Sequence, residues 1–189
     1  MKEQDDIFQV RSVLAGNTAA YAFLVEKHSE MAFTIANKIV RNREDAEEIA
    51  QDAFVKAYQS LRTFKGDAKF STWLYRIVYN AAISHTRRRH QEFVQLDERV
   101  VSDTTEDQIF ENLETIDPEL QSKLVNKAIN KLPADDSAIV MLFYMKENTV
   151  DDISQITGLS VSNVKVKLHR IRKKLYDELQ NMMKLETVA

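Results

Sequence analysis

Ten carboxylates between Glu92 and Glu119 face a single base, Arg99. Like charges at that density repel one another and resist burial, so this segment divides the chain and does not form its core. The stretches on either side end in basic clusters, Arg87-Arg88-Arg89 and Lys165 to Lys174. A formal net charge of −3 over 189 residues therefore describes neither half. The distribution implies two basic bodies, residues 1–91 and 118–189, joined by an acidic linker over residues 92–117, and basic bodies point to nucleic acid. Pro118 marks the start of the second body. Phe93, Leu96, Ile109 and Phe110 interrupt the linker's charge, so it carries side chains able to dock on a partner or on the flanking bodies.

Only three glycines and two prolines punctuate the chain, and the apolar–polar alternation that signals a strand is hard to find. Both features predict an all-α protein of two helical domains. No apolar run approaches the ~20 residues that cross a bilayer. Met1-Lys2-Glu3-Gln4-Asp5-Asp6 is not a signal peptide. The expectation is a cytoplasmic protein with no direct membrane insertion. Without cysteine there is no disulfide and no thiolate metal site. His28, His85, His90 and His169 form no ligand cluster, so neither a metal nor another cofactor is expected. A helical nuclease or phosphohydrolase would need acids converging on a metal, whereas the acids here crowd into the linker. No enzyme is expected.

Within the first body, residues from about 18 to 41 read as one or two helices with Tyr21, Phe23, Leu24, Met31, Ile35 and Ile39 facing a core. Asn42 is placed to cap the next helix, about 43 to 61, with Glu44 and Asp45 in its first turn, where acids suit the helix dipole. At about 100° per residue, Ala46, Ile49, Ala50, Ala53 and Ala57 line one side. Their small size lets neighbouring helices pack close. Glu48, Gln51, Val55, Tyr58 and Gln59 point the other way, with Phe54 at the border. Such a face has the composition of a protein interface. It is equally that of a surface helix with two half-exposed apolar residues.

The stretch from Phe64 to Arg89 follows. Gly66 permits a tight loop, and Ser71 or a neighbour can cap a helix. Phe70, Trp73, Leu74, Ile77, Val78 and Ala81 then recur at the spacing of a buried face. Tyr75, Arg76, Tyr79, Asn80 and the terminal arginines occupy the remaining faces. Aromatic planes, amide donors and cations along one element suit single-stranded nucleic acid. A core helix with a solvated basic end would carry the same residues.

The second body reads as three or four short helices. Glu119 to Asn130 is one, and Pro133 sits near the start of the next, ahead of Asp135 and Asp136. Thr149-Val150-Asp151-Asp152 has the form of a capping box. The helix it opens stops at Gly158, a C-cap candidate, and Ser160 caps a long helix reaching about Leu179. Small Ser154, the glycine in the turn and aliphatic Val164 satisfy the packing needs of a helix-turn-helix. The second of its helices buries Val161, Val164, Leu168, Ile171, Leu175 and Leu179. It presents Ser162, Val166, His169, Arg170 and Lys173, flanked by Asn163, Lys165, Lys167 and Arg172. Hydroxyl, amide and guanidinium groups read base edges in a major groove, valine suits a thymine methyl, and lysines hold phosphates.

These motifs together resemble the extracytoplasmic-function sigma factors, the two-domain group of the bacterial sigma-70 family. The resemblance covers about residues 18–179. Glu44-Asp45-Ala46-Glu47-Glu48-Ile49-Ala50-Gln51-Asp52-Ala53-Phe54 is similar to the family's region 2.2. Phe70-Ser71-Thr72-Trp73-Leu74-Tyr75-Arg76-Ile77 lies within the part similar to regions 2.3 and 2.4, and Val164 to Leu175 resembles the region 4.2 recognition helix. The resemblance implies an RNA polymerase subunit that directs promoter-specific initiation. The β′ clamp coiled coil would be gripped through Glu48, Gln51, Asp52, Phe54, Val55 and Tyr58. Phe64, Ala68, Lys69, Phe70 and Asn80 would surround a flipped base of the melted minus-ten element, with Arg76, Arg87, Arg88 and Arg89 on phosphate. Ser162, Asn163, Lys165, Val166, Lys167, His169, Arg170 and Lys173 would read the duplex minus-thirty-five element. Val166 and His169 depart from the residues often seen there, so the family's promoter sequence does not transfer. Many members are held inactive by a membrane-bound anti-sigma factor, although no residue here identifies one. The alternative is a helix-turn-helix regulator outside the polymerase, but residues 18–90 show neither a βα alternation nor an acidic phosphorylation pocket.

Overall fold

Asn42 sits in extended backbone and its side chain accepts the Asp45 N–H at 3.0 Å, which satisfies one of the donors that a helix start leaves unpaired. Caps of this kind divide the chain into helices. The computed structural model describes residues 2–90, 118–145 and 148–186. Among these the helices are α1 (Lys2–Leu14), α2 (Ala20–Val40), α3 (Arg43–Gln59), α4 (Phe70–His90), α5 (Pro118–Lys131), α6 (Ala134–Met145), α7 (Val150–Thr157) and α8 (Val161–Glu186). A 3-10 turn at Leu61–Thr63 leads from α3 toward α4, and no strand occurs among the described residues. The apolar side chains predicted within the linker lie outside them.

Helix α2 ends on Arg41, which adopts the left-handed conformation (φ 56°) and donates its N–H to the Asn37 carbonyl at 2.9 Å. The capping box opens α7 as expected, with Thr149 and Asp152 each accepting the other's backbone N–H. Gly158 closes it at φ 76°, where a side chain would be strained. Ser160 Oγ accepts the Asn163 N–H at 3.2 Å and starts α8.

Leu24, Ile35 and Ala36 of α2, Ala46, Ala53 and Ala57 of α3, and Leu74, Val78 and Ala82 of α4 form the centre of the first body. Ile139, Leu142, Ile153, Ile156, Val164 and Ile171 do the same for the second. The buried residues of the two bodies form one continuous cluster, because α4 packs on α7 and α2 on α6. The two helical bodies are thus closed on each other, not held apart. A smaller cluster of Leu124, Ala128, Tyr176, Leu179 and Met182 ties α5 to the far half of α8.

Several expectations need correcting. Helix α1 lies ahead of the first helix expected from the sequence, and its Val10 and Val13 are buried. Phe23, expected in the core, is 41% exposed. Ser71 is the second residue of α4 and lies inside the first turn, not at its cap. Helix α3 stops at Gln59 and α8 runs to Glu186, past the expected Leu179.

Candidate nucleic-acid interface

Three surfaces hold the predicted residues. The first is the outward face of α3. Glu48, Gln51, Asp52, Val55 and Tyr58 are exposed there, while Phe54 is covered. Helix α2 completes this surface in a way the sequence did not disclose. Tyr21, Val25, Phe54, Val55 and Tyr58 line an apolar groove between α2 and α3. A second hollow continues past Phe54 to Phe33, Gln51 and Arg43. The Tyr21 hydroxyl donates to the Phe54 carbonyl at 2.7 Å, and its ring meets Tyr58 edge-on at 5.0 Å. Burial pushes the Tyr21 phenol up to about 12, so it remains a donor throughout the physiological range.

The second surface is the entry and outer side of α4. Phe64, Phe70 and Trp73 form an aromatic cluster with centroids 5.5–5.8 Å apart. Phe64 and Ala68 are half-buried, and Arg76, Asn80, Arg87 and Arg88 are exposed. The Arg89 side chain lies outside the described ones. Phe70 is only 1% exposed; its ring contacts His28 at 5.6 Å. Tyr75 and Tyr79 do not offer stacking planes, since both are buried. Helix α4 touches α2, α3 and α7 at once, so its covered band is wider than one stripe. The Tyr75 hydroxyl lies 3.2 Å from His28 Nδ1, and His28 Nε2 lies 3.1 Å from the Asp6 carboxylate. Lys27 also donates to Asp6. Burial would raise the Asp6 carboxyl, but the bonds from His28 and Lys27 outweigh it and hold the group below its ordinary value. The N-terminal helix is thereby tied to the back of the aromatic cluster.

Asn80, Ser84, His85 and Arg88 line a hollow against Asp45, Glu48 and Asp52 of α3. Residues predicted for DNA and for polymerase therefore meet across one groove. Among the described residues His85 Nδ1 is buried without a hydrogen-bond partner.

One acid that sequence reasoning assigned only to a cap turns out to join the bodies. Asp152 Oδ1 accepts the Thr72 hydroxyl at 2.9 Å, and Oδ2 faces Lys69 Nζ at 3.4 Å. Oδ2 also accepts the backbone N–H and hydroxyl of Thr149, at 3.0 and 2.8 Å. Burial pushes the Asp152 carboxyl up, yet the Thr149 and Thr72 bonds and the Lys69 charge win and hold it below its ordinary value. It is a carboxylate at neutral pH. Lys69, predicted for DNA, is thus engaged within the chain.

The third surface is α8. Val164, Leu168 and Ile171 are buried, and Ser162, Asn163, Lys165, Val166, His169 and Arg170 are exposed on the other side. Val166 is 50% exposed, an apolar side chain held toward water. The turn is closed by Ser154, whose hydroxyl donates to the Leu159 carbonyl at 2.6 Å. Lys167 departs from expectation. It pairs with Asp136 Oδ1 at 3.2 Å, while Lys174 takes Oδ2 at 3.1 Å; both fasten α8 to α6. Lys173 is half-buried, and Arg172 donates to the Tyr144 hydroxyl at 3.1 Å. Among the described residues no group of His, Asp or Glu is arranged to hold a metal, and no helix is long and apolar enough to cross a membrane.

A two-body helical protein with a capped helix-turn-helix presenting a basic face is the class this geometry defines. Residues 24–92 match the Sigma-70 region 2 family and residues 122–175 match the Sigma-70, region 4 family. The RNA polymerase sigma factor YlaC of Bacillus subtilis is 31% identical over 134 residues, 70% of this chain and 76% of that one. The ECF RNA polymerase sigma factor SigW of the same organism is 29% identical over 182 residues, covering 92% and 96%. In fold, the chain is similar to the sigma factor RpoE solved with the anti-sigma factor NepR from Bartonella quintana. The TM-score there is 0.64, at 21% identity, over 85% of this chain and 96% of that one. The chain belongs to the sigma-70 family and is an extracytoplasmic-function RNA polymerase sigma factor, a transcription initiation factor and not a helix-turn-helix regulator outside the polymerase.

Proposed function

We propose that this sigma factor works through three divided surfaces, with domain limits at residues 1–91 and 118–189 around the 92–117 linker. The α2–α3 groove, with Glu48, Gln51, Asp52, Phe54, Val55 and Tyr58, takes the β′ clamp coiled coil of core polymerase. Phe64, Ala68, Lys69 and Asn80 hold a flipped base of the melted minus-ten element over the buried Phe70 ring, with Arg76 and Arg87 to Arg89 along its phosphates. Ser162, Asn163, Lys165, Val166, His169 and Arg170 read the minus-thirty-five duplex, and Lys167 and Lys173 lie at the rim of that face. No residue carries out catalysis. The site of action is the cytoplasm, and an anti-sigma factor, membrane-anchored or free, is the negative regulator. That last assignment is supported by the NepR complex of the RpoE protein.

The observation that carries this reading is the outward face of α8: hydroxyl, amide, guanidinium and one apolar group exposed together over a sealed aliphatic back. That is the mixture a major groove distinguishes. Energetics favour the division of labour. Opening a duplex costs roughly 1.4 kcal/mol of stacking per step, and stacking a captured base returns ~1–3 kcal/mol. A few captured bases offset local melting only where polymerase already holds the DNA. Run-off transcription with purified core enzyme tests the proposal. Initiation at defined start sites should require this protein; equal initiation without it would overturn the reading.

A further inference from the structure

Asp6, His28 and Tyr75 place three polar side chains behind the aromatic cluster of α4, and each is only 5% exposed. The Asp6 carboxylate can only accept, so His28 Nε2, 3.1 Å away, carries the proton that joins them. The other ring nitrogen, Nδ1, meets the Tyr75 hydroxyl at 3.2 Å. Lys27 donates to the second Asp6 oxygen and balances its charge. Aliphatic side chains would fill the same space without the desolvation cost of these groups. What the polar set supplies is direction. Hydrogen bonds fix the plane of an imidazole, whereas apolar contacts are indifferent to it.

That plane matters because of what the ring touches. His28 meets Phe70 at 5.6 Å, inclined by 54°. Phe70 in turn meets Phe64 edge-on at 5.8 Å and Trp73 at 5.8 Å. Asp6 therefore stands three contacts from Phe64, which is half-buried and within reach of a ligand. It comes from α1, ahead of Leu24, where the match to Sigma-70 region 2 begins. We infer that Asp6 and His28 are positioning residues for strand capture: the α1 carboxylate orients the His28 ring, which sets Phe70 and through it the Phe64–Trp73 surface offered to an unpaired base. This rests on the strand-capturing role proposed above. Neither residue reaches the base, since both are buried. Stacking is strongest on a plane already held when the base arrives, and a floor free to rock loses part of it.

Holoenzyme assembled from the full chain and core polymerase tests the relay on a mapped promoter. Closed-complex affinity, the rate of isomerisation to the open complex and the final amplitude are measured separately. A substitution that merely weakens the fold lowers the amplitude, because fewer molecules assemble, and leaves the rate per assembled complex alone. Asp6→Asn should slow isomerisation roughly 3–10-fold, a fraction of what one stacked base contributes, with affinity for core polymerase unchanged. Tyr75→Phe keeps the ring, removes only the hydroxyl and should slow the same step roughly 2–3-fold. Val13→Ala is the control. Val13 is buried on the same helix but outside the relay, so its loss should lower the thermal midpoint and spare the rate. An unchanged rate with Asp6→Asn, or equal slowing by Val13→Ala, would overturn the relay while leaving the sigma function standing. Should Asp6→Asn fail to fold, Tyr75→Phe decides alone, and an unchanged rate there overturns the inference. Wild-type holoenzyme that initiates without Phe64 or Trp73 contributing to opening would instead sink strand capture by this cluster.

Discussion

Helices α4 and α8 have similar endowments, an apolar stripe and a basic side, but the fold treats them differently. Helix α8 is covered along one stripe, so Val164, Leu168 and Ile171 go in and Val166 and Arg170 stay out. Helix α4 is covered from several directions, so even Tyr75 and Tyr79 disappear, and burial raises both phenols. A duplex-reading helix needs only a rigid back and a free front. A helix that holds separated strands must also keep its aromatic cluster in place, and here Phe64, Phe70, Trp73 and His28 support one another. The difference teaches that a basic amphipathic helix does not reveal its exposed face until its number of neighbours is known.

The largest expected effect breaks the comparison at its core. Leu74 is fully buried in α4, and Leu74→Ala should cost about 2–5 kcal/mol. If the shared cluster makes the bodies cooperative, urea unfolding followed by tryptophan fluorescence, from Trp73 in the first body, and by circular dichroism should shift together. A mutant in which only the fluorescence transition moves would show that the bodies unfold separately.

Next come the recognition faces themselves. Arg170→Ala should cost ~1–3 kcal/mol on the native minus-thirty-five sequence if its guanidinium touches a base. Equal loss on scrambled upstream DNA would demote it to a phosphate contact. Asn80→Ala should leave polymerase binding intact and slow open-complex formation; unchanged permanganate reactivity of the melted region would remove Asn80 from the strand-capturing side. The pair distinguishes duplex reading from strand capture without disturbing either core, since both side chains are exposed.

Legibility follows the same division. The helix-turn-helix could be read because its signals are local: Thr149 with Asp152, Gly158, Ser160 and the stripe from Val164 to Ile171 all lie within a short span. Asn42 and the alanine side of α3 were legible for the same reason. What escaped depends on distant residues. Asp152 meets Thr72 80 positions away, and its local duty as a cap already accounted for its presence. The α2 side of the groove escaped because Tyr21 looks like core until α3 is laid beside it, and Val25 stands outside the expected core altogether. Tyr75 and Tyr79 were misplaced because a periodic stripe cannot count neighbours, and Phe23 because an apolar residue at helical spacing need not find one.

A smaller effect concerns the turn. Gly158 has φ 76°, and an added Cβ would meet no atom within 4 Å. Gly158→Ala should therefore cost only the left-handed backbone penalty, roughly 1–2 kcal/mol. It should lower the thermal midpoint without changing which base pairs are read. A change in promoter preference would mean that the turn also sets the docking angle of α8.

The last effect varies with pH only in acid and separates a contact inside the first body from one between bodies. Asp6 and Asp152 are both held below the ordinary carboxyl value of 3.8, since their hydrogen bonds outweigh the upward push of burial. A depressed folded value means the unfolded chain takes up protons first. The stabilisation is thus complete above the ordinary value and drains away as pH falls through the folded one. Urea midpoints should hold level from pH 7 to about 5 and fall steeply below about 4. Asp6→Asn and Asp152→Asn should each start lower and fall less. Because Asp152 joins α7 to α4, its variant should also separate the tryptophan-fluorescence and circular-dichroism unfolding transitions, whereas the Asp6 variant should not. If the two variants behaved alike in that measurement, Asp152 would be no more than the cap its sequence suggested.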